Sequence, residues 1–226
     1  MTMQRIGGIA ALTCAATYVF GIALLVTVMA EAGFGSNNLN AANVVRFTIE
    51  NQGLMIVWNT VIYIVNALAL AVLVVAVSRR LRAASPDWGS MALAFGLIWT
   101  TLVLGAGMLA NVTTERVVAL AADDFEAAVL TWEVLHVVEL GLGGGNEIAG
   151  GAWIFCVSLA GLVYRAFGKV VIGLGLLTGL AGLLTILPPL GDVAGMVFGL
   201  SAIAWFVAVG VALVLQRDAT RQPVHA

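Results

Sequence analysis

The chain is 226 residues long, 62% hydrophobic and only 10% charged, with a formal net charge of -2. A soluble domain carries about 25% charged residues, so this composition and a mean hydropathy of +1.06 describe an integral membrane protein. Nine arginines, a single lysine and no basic run interleaved with aromatics exclude a nucleic-acid partner. Two isolated cysteines, Cys14 and Cys156, with no CxxC pair argue against a thiol-redox centre.

In chain order, the first apolar run covers residues 6–30, behind Arg5. It is longer than the roughly 7–15-residue core of a secretory signal, so it reads as a retained transmembrane helix. The polar stretch 31–52 follows. Within it Ala41, Val44, Val45, Thr48 and Ile49 recur at helical spacing behind Asn40, a good N-cap residue. This predicts a short amphipathic helix on the membrane surface. The second and third spans are expected at 54–78 and 89–112, separated by Arg79, Arg80, Arg82 and the breaker Pro86. Asn59 and Asn66 are seven apart, which places them on one helix face. With Asn111 they read as interhelical hydrogen-bond partners. The fifth and sixth spans are expected at 170–187 and 193–215, joined by a turn through Pro188 and Pro189.

Between residues 113 and 164 the chain has room for one crossing or two, and the basic residues decide. With one crossing, at 147–164, six spans place Arg5, Arg79, Arg80, Arg82, Arg165, Lys169, Arg217 and Arg221 on one side. Only Arg46 and Arg116 remain opposite. The basic side is cytoplasmic, so both termini are expected inside a bacterial inner membrane. The fold expected is all-α: one transmembrane domain of six helices, with an outer-face amphipathic helix over about 125–140 before the fourth span. Ten of the twelve acids then fall on or near the outer face, leaving only Asp87 and Asp218 inside. An acidic mouth concentrates cations.

The chemistry concentrates in residues 132–153, WEVLHVVELGLGGGNEIAGGAW. Glu133, His136 and Glu139 are three apart on the expected outer helix. Gly141, Gly143, Gly144 and Gly145 predict a non-helical hinge. Asn146 is the expected N-cap of the fourth span, with Glu147 in its first turn. These five polar residues, Glu133, His136, Glu139, Asn146 and Glu147, are the candidate ligand-binding set. Glu-x-x-His sets a carboxylate beside an imidazole, as in carboxylate-bridged metal sites. A divalent metal ion, held by Glu133, His136 and Glu147, is the cofactor this cluster would take. The bland reading of the same residues is the wet face of a capping helix. Glycines four apart, Gly175 with Gly179 and Gly191 with Gly195 and Gly199, suit close helix packing in lipid. They also suit a homo-oligomer or a membrane-protein partner.

The segments NQGLMIVWNTVIYIVNALALAVLVVAVSRRL, WGSMALAFGLIWTTLVLGAGM and LGLGGGNEIAGGAW resemble a bacterial family of small six-helix integral membrane proteins whose domain has no assigned function. The resemblance implies the six-span fold and a bacterial cell membrane. It implies no activity and no catalytic residue. The leading expectation is a small bundle that binds or passes a cation or small solute at an acidic outer-face cavity. The alternatives are a membrane-embedded metal-dependent enzyme using Glu133, His136 and Glu147, and an accessory or sensor subunit of another membrane protein. The chain has no nucleotide motif, no serine-nucleophile motif and no HExxH, which argues against the enzyme.

Overall fold

A computed structural model describes residues 2–34, 39–144 and 147–215 of the chain. Every regular element among them is helical. In order they are α1 (Met3–Val26), α2 (Ala41–Glu50), α3 (Gln52–Asn59), a π-helical segment (Thr60–Val65), α4 (Asn66–Arg82), α5 (Pro86–Ala121), α6 (Phe125–Glu139), α7 (Ile148–Tyr164), α8 (Lys169–Leu184) and α9 (Gly191–Leu215). Two single 3-10 turns, Met29–Ala32 and Pro188–Leu190, and a second π-helical segment, Leu140–Gly144, complete them. Five helical stretches are long and apolar enough to cross a membrane: Met3–Val26, Gln52–Arg82, Pro86–Ala121, Phe125–Tyr164 and Pro188–Leu215. The sixth expected span, α8, is apolar but has 16 residues. At 1.5 Å per residue that is about 24 Å, short of a hydrocarbon layer of about 30 Å.

Six helices close into a ring in the order α1, α4, α5, α7, α8, α9 and back to α1, each packed on the next. Small residues make the closure tight. Gly8 on α1 lies against the Gly210 carbonyl of α9, where a Cβ would come within 2.8 Å. Gly151 on α7 and Gly182 on α8 touch backbone to backbone. The expected packing pair Gly175 and Gly179 faces Ser158, Trp205 and Phe155, whereas Gly195 and Gly199 have no neighbour within 4 Å. Aromatic side chains fill the middle of the ring. Trp99 packs on Trp153, Phe198 and Phe206 at centroid distances of 5.7, 6.2 and 6.2 Å, and Trp153 meets Trp205 edge-on at 5.5 Å. Trp153, Phe198, Trp205 and Phe206 are fully buried.

A second, smaller apolar cluster stands at the end of the molecule where α5 finishes. Val44 and Val45 of α2, Val117 of α5, and Ala128 and Trp132 of α6 form its buried heart. Two expectations change here. The third span does not stop near residue 112. No proline or glycine halts it, and α5 runs on to Ala121 past the exposed Glu115 and Arg116 because Val117 gains a buried seat against α2 and α6. And α2, capped as expected by the Asn40 side chain accepting from the Asn43 amide at 3.1 Å, lays Val44, Val45 and Thr48 on protein rather than on a membrane surface.

Candidate functional site

The expected outer helix forms, as α6, but faces the other way. Asp124 caps it, its carboxylate accepting from the Ala127 amide at 2.9 Å. Leu130, Val134, Val137 and Val138 are exposed, at 62, 55, 67 and 47%. Trp132 is buried, and the His136 and Glu139 side chains are only 21 and 15% exposed. A water-facing helix would show its polar stripe to solvent. Here Leu130, Val134 and Val137 point outward on the same face as Glu126 and Glu133, while His136 and Glu139 turn into the protein beside Trp132.

What α6 faces is a cavity of about 280 Å³. Its walls come from several elements at this end: Leu25 of α1, Thr48 of α2, Trp58 and Asn59 of α3, Thr113 and Thr114 of α5, and Trp132, His136 and Glu139 of α6. Tyr63 enters from the π-helical segment. Its hydroxyl donates to Glu139 Oε1 at 2.7 Å, and His136 Nδ1 lies 3.2 Å from Glu139 Oε2. An ionised carboxylate only accepts, so this geometry asks for the proton on Nδ1. The imidazole is stacked on Trp132 at 4.5 Å between centroids, which fixes its plane. Charge-assisted bonds of this kind are about twice as strong as neutral ones. The carboxylate is thus held by two side chains from two different elements.

The π-helical segment explains how Tyr63 arrives there. One extra residue in a helix turns all that follows by about 100°, and such insertions are frequent at functional sites. Asn59 and Asn66 consequently do not share a neighbour, contrary to the expectation from their spacing. Asn59 Nδ2 reaches Thr114 Oγ1 on α5 at 3.5 Å, while Asn66 Nδ2 donates to Thr17 Oγ1 on α1 at 2.6 Å. The interhelical role expected for Asn111 is met through Thr60, at 3.0 Å.

A second cavity, of about 270 Å³, adjoins the first and shares Leu25, Trp58, Ile62 and Tyr63 with it. It runs toward the aromatic centre of the ring, past Tyr18, Asn66 and Trp99, and Glu147 lies on its wall. Among the described residues, the Glu147 carboxylate has no hydrogen-bond or ion-pair partner. The wide turn Leu140–Gly144 separates α6 from α7, and the break itself is at Gly143, whose φ of 126° is open to glycine and strained for other residues. Glu147 stands at the N-cap position of α7 without a side-chain cap bond. Asn146, the expected cap, lies outside the described residues, as does Gly145.

Of the predicted set, His136 and Glu139 meet, and Glu147 lies in the neighbouring cavity. Glu133 is on the exposed part of α6. Among the described residues no three His, Cys, Asp or Glu side chains are grouped to hold one metal ion. The expected metal set of Glu133, His136 and Glu147 is therefore not assembled among the described residues: Glu133 faces away, His136 is engaged by Glu139, and Glu147 lines the neighbouring cavity. Tyr63 is the residue that sequence reasoning missed. Its signal was available, since it sits four residues after Asn59 and three before Asn66, a polar tip in an otherwise aliphatic run. The chain matches no family model, no curated protein and no solved structure.

Proposed function

We propose that this is a multi-pass bacterial inner-membrane protein, both termini cytoplasmic, that binds a small cation in the outer cavity built around Glu139. One observation carries the reading: α6 turns its Glu139–His136 pair inward, into a cavity, while exposing leucine and valine. Glu126 and Glu133 of the same helix face outward, so the inward turn belongs to His136 and Glu139. Among the described residues no lysine or arginine lines the cavity, and Glu139, the one carboxylate that does, sets the local sign. The orientation rests on the basic residues. Arg79, Arg80 and Arg82 end α4, and Arg80 Nε donates to the Ala166 carbonyl beside Arg165 and Lys169, which gathers these charges at the end opposite the cavity. Such a side faces the cytoplasm. The six-span topology counts α8 as a short crossing that completes the ring, and it agrees with the family resemblance.

Binding is favoured over passage because the aromatic centre closes the ring beyond the second cavity. An enzymatic reading has less support, because the metal set it needed is dispersed. The test is thermal unfolding of the purified protein in detergent, at constant ionic strength, with chlorides of choline, sodium and magnesium in turn. A ligand at 100 times its Kd stabilises a protein by about 2.7 kcal/mol. At least one cation is expected to raise the unfolding midpoint saturably in the wild type and not in Glu139→Gln. A midpoint that no cation moves overturns the proposal.

A further inference from the structure

We infer that the cation is organic, a small alkylammonium group, and that Phe34, Trp58, Tyr63 and Trp132 receive it beside Glu139. This rests on the cation-binding reading above and narrows it. Those four aromatic side chains are among the fourteen residues lining the cavity. Phe34 and Trp58 brace each other edge-on at 6.0 Å. Trp132 is held from the other side by its stack on His136. Quaternary and alkylated ammonium ions are attracted to aromatic faces within about 6 Å and need no stripping of a tight water shell.

The same wall is poor for an inorganic ion. Calcium takes about 6–8 oxygen ligands and magnesium a near-ideal octahedron. Among the described residues that line it Glu139 is the only carboxylate, and each of its oxygens already accepts one bond. Each oxygen keeps a further lone pair for a diffuse positive charge, which suits long-range attraction rather than coordination. Size points the same way. At about 30 Å³ per water, 280 Å³ corresponds to roughly nine waters. That is far more than one bare ion fills and a fair match to an ammonium head with a short tail. Leu25, Met55, Ile62 and Ala110 supply apolar contact for its methyl groups.

The experiment is calorimetric titration of the full-length protein with choline chloride and with 3,3-dimethylbutan-1-ol, the neutral carbon isostere of choline. Sodium and magnesium chloride are titrated in parallel. Choline is expected to bind saturably, and the isostere at least tenfold more weakly, since shape without charge should not suffice. Trp58→Leu and Glu139→Gln should each weaken choline at least tenfold, while Trp58→Phe, which keeps an aromatic face, should retain most of the affinity. Should the leucine variant fail to fold, the choline-to-isostere ratio on the wild type decides the matter alone. Equal binding of choline and its isostere overturns the inference. Saturable binding of sodium or magnesium with none of choline also overturns it while leaving the cation-binding reading intact. Binding of no cation overturns both.

Discussion

Adding one methyl group at Gly151 should unfasten α7 from α8. A Cβ there would lie 2.7 Å from the Gly182 carbonyl carbon, 2.7 Å from the Leu183 nitrogen and 2.9 Å from the Gly179 carbonyl oxygen. Unstrained carbon contacts need about 3.5–4.0 Å, so the helices must part by roughly 1 Å. All three obstacles are backbone atoms, which no rotamer change can clear. Overpacking costs about 1–3 kcal/mol, and this case belongs at the upper end, because a gap of about 1 Å forfeits up to half of each neighbouring contact. Replacing glycine by alanine in a helix returns about 0.5–1 kcal/mol. The net loss for Gly151→Ala is therefore about 2 kcal/mol, roughly thirtyfold in the unfolding equilibrium. The controls are Gly105→Ala and Gly173→Ala, where a Cβ meets nothing within 4 Å. They should be neutral or slightly stabilising. Reversible unfolding in mixed detergent micelles reads all three. Gly151→Ala as stable as Gly173→Ala would refute the claim that these two helices touch at their backbones.

Two other expectations are independent of that contact. Tyr63→Phe and Glu139→Gln should each destabilise the fold by about 1.5–3 kcal/mol, the range for a hydrogen bond to a charged group. The double variant should lose less than the sum by about 1 kcal/mol, since both changes remove one bond, and strict additivity in the same unfolding assay would sever the pair. For topology, Cys14 and Cys156 are buried, so introduced thiols report cleanly. Asp123→Cys should react with an impermeant maleimide on intact cells and Ala84→Cys only after lysis; the reverse pattern inverts the proposed orientation.

Five long apolar helices were legible because lipid demands long apolar runs, and the start of α2 because Asn40 is a good cap. The position of the hinge was legible in its glycines, though only Gly143 breaks the helix. The direction in which α6 faces was not. Leu130, Val134 and Val137 share a side with Glu126 and Glu133, so that side is mixed and its pattern does not say whether it or the Trp132–His136 side meets protein. The length of α5 was hidden for a related reason: Glu115 and Arg116 look like a boundary, yet a helix passes any charge that can stay exposed. The turn at Thr60–Val65 had no warning, since TVIYIV contains neither glycine nor proline, and it alone decides that Tyr63 meets Glu139.

That inserted residue puts a dislocation into the apolar helical stretch Gln52–Arg82. A π-turn is a dislocation in an otherwise regular ladder, and it can shift one place along the chain by exchanging a single carbonyl partner at each step. Here it lies between two pins, Asn59 on Thr114 and Asn66 on Thr17, so the span need neither lengthen nor tilt as the dislocation travels. A shift of one residue would rotate the intervening side chain by about 100°. For Tyr63, which lines both cavities, that rotation would break the bond to Glu139.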